Sequence, residues 1–224
     1  MPQNLTIIFR QYLRHLLGNQ LKIQLPPYKL HHLAKDTDLC LEGYPRSGNS
    51  WLHRYFLKAN PSAKTAHHVH LSSQIKSALN NYVPTLVLIR NPLDTIISNH
   101  IYNFCRTNLS LEIKNYICYY NYIDRIKDKI LLVNFETAIY EPNYVIKCLN
   151  KKFNLSFSKG IKKDIILQME KEYKNESQHL KYNVSPIPSE RRTNLKKQLF
   201  PSIKNNLYYP IAKDIYNSLQ STAI

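Results

Sequence analysis

The chain has 224 residues, of which 43% are hydrophobic and 21% are charged, and its formal net charge is +16. This length and apolar content suffice for one α/β domain with a single core and leave no room for a second domain. The four cysteines form no CxxC pair and fit a reducing compartment, so we expect a cytoplasmic protein.

The N-terminal segment, residues 1–36, is predicted to contain an amphipathic helix. Apolar residues recur between positions 4 and 17, but two arginines and a histidine interrupt them. Such a helix is too short and too charged to span a bilayer, and the segment lacks the uninterrupted apolar run of a signal peptide. We expect it to pack on an α/β domain of residues 37–224, with peripheral membrane contact through its basic face as the alternative.

A glycine-containing turn lies between the first predicted strand and the first predicted helix of the domain. The partly alternating apolar run at residues 38–42 indicates a strand. The turn that follows, residues 43–51, has the sequence GYPRSGNSW. Apolar residues at helical spacing come next, until Asn60 and Pro61 end the helix. Strand, turn and helix in this order are what a phosphate-binding loop requires.

The turn fits the GxxxxGK[ST] phosphate-binding pattern everywhere except at the lysine, which is Asn49 here. The cation lies inside the turn instead, as Arg46. Because the lysine of that pattern reaches the β and γ phosphates of a triphosphate, its loss argues against ATP hydrolysis, while the backbone can still bind an anion. The turn therefore favours a ligand with a single 5′-phosphate.

A histidine cluster, His67-His68-Val69-His70, follows further along the chain. If the segment is a strand, His68 and His70 share one face. An imidazole with a pKa of about 6.5 is partly neutral at cell pH and suits a general base. A catalytic zinc site needs a third protein ligand, and no nearby cysteine or carboxylate has the usual spacing, so we expect no metal. Structural histidines are the remaining alternative.

A second strand-to-helix junction begins with the continuous apolar run Thr85–Ile89, which is typical of a buried parallel strand. Arg90 follows it. The next residues suit the N-cap, the first position and the first turn of a helix, in the order Asn91, Pro92 and Asp94. Arg90 is thus expected at the edge of an α/β sheet where ligands bind, with Ser98 about two helical turns later.

Together, the segments YPRSGNSW and LIRNPLDTIISNHIY resemble the two cofactor signatures of the sulfotransferase family, which uses 3′-phosphoadenosine-5′-phosphosulfate (PAPS). In that family a Y-P-[KR]-S-G-[TS]-[TS]-W turn holds the 5′-phosphosulfate. An R-[DN]-P-x-D segment, with a serine eight residues after its arginine, holds the 3′-phosphate. The interval from Arg90 to Ser98 matches. The resemblance implies a three-layer, P-loop-like α/β fold with a central, mostly parallel sheet flanked by helices.

The resemblance also implies a role for each matching residue. Arg46 contacts the 5′-phosphate and the bridging oxygen, where its always-charged guanidinium stabilises the leaving group electrostatically. The rest of the turn supplies backbone N–H groups, a hydroxyl and an aromatic wall, from Ser47, Gly48, Asn49, Ser50 and Trp51. The family's base precedes the 3′-phosphate arginine by about twenty residues, which makes His70 the first candidate and His68 the alternative.

Downstream, residues 129–135 are predicted to form another buried strand, with Phe135 where the family has tyrosine. Residues 171–189 are the segment for which the pattern predicts the weakest order, and they could form a lid. Arg191 and Arg192 resemble the family's late basic loop over the 3′-phosphate. Either arginine could fill that role, although a solvated helix face would look the same.

The charge of +16 invites a nucleic-acid interpretation, but the lysines are dispersed and no nucleic-acid-binding signature is present. We therefore expect no specific nucleic-acid partner. A positive field also concentrates an anionic cofactor and anionic acceptors. The resemblance implies PAPS as co-substrate, its bisphosphate product PAP, no metal, and a small-molecule, glycan or lipid acceptor, and it leaves the oligomeric state open. The alternative function is a degenerate P-loop nucleotide-binding protein or small-molecule kinase.

Overall fold

The computed structural model describes residues 32–177 and 189–224. In these ranges four strands form one parallel sheet in the order β2-β1-β3-β4. The strands are β1 Leu39–Gly43, β2 Thr65–His67, β3 Thr85–Ile89 and β4 Leu131–Asn134. The N-terminal helix predicted between positions 4 and 17 lies outside the described residues.

Helices connect the strands and follow the last one. The first five are α1 Asn49–Ala59, α2 Ser72–Asn80, α3 Pro92–Tyr102, α4 Leu109–Ile126 and α5 Phe135–Tyr140. The others are α6 Pro142–Phe153, α7 Lys162–Ser177, α8 Glu190–Lys204 and α9 Tyr209–Gln220, and a short 3₁₀ turn covers Lys127–Lys129. No helix within residues 32–177 and 189–224 has the length and apolar character needed to cross a membrane.

The sheet lies between two hydrophobic clusters, because successive side chains of its strands point to opposite faces. Val87 and Ile89 of β3 pack into a cluster with apolar residues of α3, α4, α8 and α9. Leu86 and Leu88 pack on the other side, with residues of α1, α6 and α7. Helix, sheet and helix thus form three layers, and the α/β fold with a central parallel sheet predicted from the sequence is confirmed.

The strand order creates a crevice at the carboxyl ends of β1 and β3. β1 pairs with β2 on one side and with β3 on the other, so the connection from β2 to β3 crosses over β1. Where β1 pairs with β3, Gly43 lies beside Leu88. The turns that follow the two strands are therefore neighbours. In open parallel sheets, ligands bind where the strand order reverses in this way.

Several predicted elements end where the local signals indicated. β3 has the predicted bounds, and α1 ends at Ala59 with Asn60 as its C-cap. At the start of α3 the side chain of Asn91 accepts a hydrogen bond of 2.9 Å from the Leu93 N–H, and Pro92 is the first helical residue. These boundaries depend on residues close in sequence, which is why the pattern alone located them.

Three segments differ from the prediction. The fourth strand is limited to Leu131–Asn134, because a 3₁₀ turn precedes it and Phe135 already starts a helix. Of the predicted weakly ordered segment 171–189, residues 171–177 are the last part of α7, where Glu172 and Glu176 form ion pairs with cations of α1, and residues 178–188 lie outside the described residues. The supposed late basic loop is the first turn of α8, whose N-cap Ser189 accepts a hydrogen bond from the Arg192 N–H.

Candidate active site

The turn after β1 presents backbone donors into the crevice. It closes with a hydrogen bond of 3.2 Å from the Ser47 N–H to the Tyr44 carbonyl, and α1 begins directly afterwards at Asn49. The N-cap of α1 is Gly48, and no side chain caps this end of the helix. The first N–H groups of a helix have no partner within the helix, and they carry the positive end of its dipole. This end of α1 is thus suited to bind an anion.

Gly48 is required by the shape of the turn. Its φ of 94° lies in the left-handed region, which side chains disfavour. A Cβ at this position would lie 3.0 Å from the ring of Phe135. Phe135, the first residue of α5, therefore packs directly against the turn. In the sequence, Phe135 differs from the tyrosine of the family pattern, and no local signal indicates its contact with the turn.

Asn49 supports the turn instead of reaching towards a ligand. Its side-chain amide donates to the carbonyl oxygens of Gly43 (3.3 Å) and Tyr44 (3.1 Å), and the residue is buried. The position that holds the catalytic lysine in an ATPase is thus occupied here by a side chain that braces the backbone.

Buried tyrosines form the floor of the turn. The hydroxyl of Tyr120 donates a hydrogen bond of 2.7 Å to the Leu88 carbonyl and lies 3.3 Å from the Ser47 hydroxyl. Tyr44 donates a hydrogen bond of 2.8 Å to the buried carboxylate of Glu112. The Ser47 side chain is therefore directed into the core, and its backbone N–H already donates to the Tyr44 carbonyl. Ser50, in the first turn of α1, is exposed.

The two arginines singled out from the sequence meet in the crevice. Nη1 of Arg90 donates a hydrogen bond of 3.0 Å to the carbonyl oxygen of Arg46, and Nε of Arg46 donates one of 3.2 Å to Ser98. Each guanidinium also lies over an aromatic ring, Arg90 at 3.9 Å from Phe135 and Arg46 at 4.9 Å from Tyr102. The Arg46 side chain is thus directed towards α3, on the same side as Ser98.

Helix α8 brings two further cations to the arginine pair. Burial, together with the charge of Arg90, lowers the pKa of Arg192. Burial also lowers the pKa of Lys196, and the charges of Arg90, Arg192 and Arg46 lower it further. We call Arg46, Arg90, Arg192 and Lys196 the cation cluster. Their mutual repulsion would be relieved by an anion bound between them.

Of the two arginines that start α8, only Arg192 belongs to this cluster. Arg191 is exposed and lines a shallow surface depression with Glu190 and Asn194. Lys196 was missed by the sequence analysis. The signal available was its spacing of four residues from Arg192, which places both on one face of a helix once the segment is recognised as helical.

His70 is held beside the turn in one defined tautomer. Its Nδ1 lies 2.8 Å from the carbonyl oxygen of Gly43, which can only accept, so Nδ1 carries the proton and Nε2 carries the lone pair. Burial lowers the pKa of His70 to about 4, and the charge of Arg46 contributes to this shift. His70 is therefore neutral at cell pH, with Nε2 ready to accept a proton.

Glu42, near the end of β1, holds the backbone of Val69 and His70 in place. Its fully buried carboxylate accepts hydrogen bonds of 3.0 Å from the N–H groups of Val69 and His70, and one of 2.8 Å from Gln74. Burial raises the pKa of Glu42 to about 7. The contacts offset the strain of positive φ angles at His68 (66°) and His70 (56°). Sequence patterns gave no signal for this role.

His68 is adjacent to His70 and lines a polar cleft. β2 ends at His67, so His68 and His70 do not share a strand face as the sequence allowed, yet their ring centroids are 5.4 Å apart. Nε2 of His68 lies 3.1 Å from the Ser50 hydroxyl. The adjoining cleft has a volume of about 380 Å³. It is lined by Ser50, His53, Arg54, Leu57, Lys58, His67, His68 and Glu172.

Metal-ligating side chains do not converge in this region. In the part of the chain that the structure describes, no group of three or more His, Cys, Asp or Glu side chains is arranged to hold a metal ion. Three histidine rings, those of His53, His67 and His68, form a row beside the cleft. The rings of His53 and His67 stack with centroids 3.4 Å apart, and the ring of His68 lies 4.6 Å from that of His67.

Comparison with known proteins shows a distant likeness among solved structures. No family model and no curated protein match the chain. Among solved structures it is similar to the mouse sulfotransferase SULT7A1 in complex with PAP, with 10% sequence identity and a TM-score of 0.44. The alignment covers 85% of this chain and 90% of the mouse chain. At this sequence identity and TM-score, the likeness does not establish a function.

Proposed function

We propose that the chain is a PAPS-dependent sulfotransferase that moves a sulfuryl group to an acceptor hydroxyl or amine by in-line displacement. The observation that carries this proposal is the contact between its two motifs. Arg90 binds the carbonyl of Arg46, and Arg46 binds Ser98, at the crevice between β1 and β3. One anionic ligand placed there would meet the phosphate turn and the second motif together.

The residues present fit a nucleotide with phosphates at both ends of its ribose. The uncapped start of α1 suits the 5′-phosphate, because its backbone donors and dipole favour a negative charge. Arg90 and Ser98, with Arg192 beside them, suit the 3′-phosphate. When bound, PAPS supplies the sulfuryl group. No metal is needed to neutralise the phosphates, because the cation cluster is already in place.

His70 is the base favoured by the geometry. Nδ1 is held by the Gly43 carbonyl, so the lone pair of Nε2 can take the acceptor proton. The imidazolium formed in this step would lie 3.7 Å from the carboxylate of Glu42, measured from Nδ1 to Oε2. Because burial raises the pKa of Glu42 to about 7, only the ionised fraction of this carboxyl group would favour the protonated ring. His68, whose Nε2 already contacts Ser50, is the alternative base.

Arg46 contributes charge and not a proton. A guanidinium stays protonated at all relevant pH values, so it stabilises the negative charge that grows on the leaving phosphate. In the structure its side chain contacts Ser98 and Tyr102. We propose that it turns from Ser98 towards the 5′-phosphate when the nucleotide binds.

The cleft beside His68 is the proposed entry for the acceptor. Leu57 is the one apolar side chain among its lining residues. Its cations are already neutralised, because Arg54 pairs with Glu176 at 3.0 Å and Lys58 pairs with Glu172 at 2.6 Å. A neutral, polar lining suits a small molecule or glycan rich in hydroxyl groups better than a lipid tail.

Nucleotide binding in the absence of magnesium tests the proposal. We expect isothermal titration to show that adenosine 3′,5′-bisphosphate binds much more tightly than AMP or ATP. Tighter binding of ATP that depends on magnesium would overturn the proposal in favour of a small-molecule kinase or other P-loop nucleotide-binding protein. Transfer of label from PAPS in a screen of sugars, phenols and amines would then identify the acceptor.

A further inference from the structure

Lys196 lies at the proposed nucleotide site although no sequence motif includes it. We propose that Lys196 is a specificity-determining residue that binds the 3′-phosphate of the nucleotide, and that Asp94 competes with this phosphate for the ammonium group. This inference rests on the proposed function, because it concerns the ligand of the same site. The argument uses the placement of α8, the partial burial of the lysine and the charges around it.

The placement of α8 directs Lys196 towards the second motif. α8 packs along α3, the helix that begins after Arg90. Lys196 follows Arg192 by four residues, so the two cations stand one turn apart on the same face of α8. Its ammonium group lies 3.8 Å from the carboxylate of Asp94, in the first turn of α3. The lysine thus reaches the helix start next to Arg90.

Lys196 is more buried than an ordinary surface lysine. Its side chain is only 25% exposed, whereas that of the neighbouring Lys197 is exposed. Long charged side chains usually keep their charged ends in water. A lysine that is largely withdrawn from water, next to other cations, raises the energy of the site unless a strong anion is bound there.

The acids around the cluster offset only part of its charge. Asp94 contacts Lys196 and also acts on Arg90, and the exposed Glu136 acts on Arg90 from α5. Asp94 is itself 45% exposed, so solvent weakens its pull on the lysine. A phosphate dianion between Arg90 and Lys196 would compete successfully with this single carboxylate for the ammonium group. Asp94 is therefore the group that the 3′-phosphate displaces from the lysine.

Three substitutions with different expected directions test this inference by isothermal titration. Lys196→Ala should weaken binding of adenosine 3′,5′-bisphosphate by about tenfold or more, because a charge-assisted contact is lost. The same change should alter AMP affinity by less than about twofold, since AMP lacks the 3′-phosphate. Asp94→Asn should strengthen bisphosphate binding by about two- to fivefold, because it removes a competing charge. Lys197→Ala is the matched control and should leave both affinities unchanged.

The outcomes separate this inference from the proposed function. If the wild-type chain does not prefer the bisphosphate over AMP, the proposed function fails and this inference fails with it. If the preference exists and Lys196→Ala behaves like Lys197→Ala, only the role of Lys196 is overturned. An equal loss of affinity for AMP and the bisphosphate also overturns it, because the lysine would then act on the 5′ side. Thermal melting of each variant without ligand verifies that it is folded.

Discussion

The hydroxyl of Ser98 accepts a hydrogen bond of 3.2 Å from Nε of Arg46, although the two residues are 52 positions apart in the chain. One residue belongs to the turn after β1 and the other to the helix after β3. Together with the bond from Arg90 to the Arg46 carbonyl, this contact joins the two motifs into one unit. A change in either motif is therefore expected to affect the other.

The first prediction concerns Arg90. Arg90→Ala removes a cation of the cluster and the donor to the Arg46 carbonyl, so the preference for adenosine 3′,5′-bisphosphate over AMP should fall by about tenfold or more. Titration of both nucleotides measures this ratio. Arg125→Ala, at an exposed position of α4, is the control. If the ratio of the two affinities is unchanged in Arg90→Ala, Arg90 does not bind the 3′-phosphate.

The second prediction compares the two candidate bases. His70→Ala should lower the rate of sulfuryl transfer by about 10²–10⁴-fold, the usual contribution of a general base. It should leave bisphosphate affinity nearly unchanged, because His70 lies beside the turn and binds no phosphate in the proposed arrangement. His68→Ala should have a much smaller effect on the rate. Single-turnover assays with labelled PAPS measure both, and the reverse order of effects would make His68 the base.

The third prediction concerns pH, because Glu42 and His70 change stability in opposite directions. Burial raises the pKa of Glu42 from 4.5 to about 7, so the folded chain holds an extra proton between these values and stability falls as pH rises. Burial lowers the pKa of His70 from 6.5 to about 4, so the unfolded chain holds the extra proton and stability falls as pH falls. In the wild-type chain the two contributions partly cancel between pH 4.5 and 6.5.

Single substitutions should reveal each contribution separately. In Glu42→Gln the free energy of unfolding should decrease more steeply than in the wild type as pH falls from 6.5 towards 4. In His70→Asn it should decrease more steeply as pH rises from 4.5 to 7. Urea denaturation at a series of pH values gives both profiles. Profiles parallel to that of the wild type would show that neither group titrates abnormally.

The fourth prediction concerns the backbone of the turn. Gly48→Ala should destabilise the fold by about 1–3 kcal/mol, because alanine disfavours positive φ and its Cβ meets the ring of Phe135. Adding Phe135→Leu should recover the part of the loss that comes from this close contact, and the conformational part should remain. Urea denaturation of the single and double variants separates the two. If Gly48→Ala is as stable as the wild type, this position does not require glycine.

Local signals predicted the parts of the site that neighbouring residues determine. The apolar run Thr85–Ile89 defined β3, and Asn91 and Pro92 marked the start of α3. The turn was recognised because its two glycines and its position between a strand and a helix are encoded within a few residues. The positions of Arg46, Arg90 and Ser98 followed from these elements.

Contacts between distant segments were not predictable in this way. The carboxylate of Glu42 in β1 accepts a hydrogen bond from the N–H of His70, which follows β2. The ring of Phe135, at the start of α5, lies against the guanidinium of Arg90. Lys196 reaches the site only because α8 packs on α3. The sequence shows each of these residues as an ordinary acid, aromatic or lysine. Their roles depend on how the helices and strands are arranged around the sheet.

The side chain of Asn49 has a consequence for how this turn could change. The side-chain amide of Asn49 donates hydrogen bonds to two carbonyl oxygens of the turn. A lysine at this buried position would lose both hydrogen bonds. Asn49→Lys would therefore not recreate a nucleoside triphosphatase by a single substitution. A lysine at this position would therefore require the surrounding backbone to change as well.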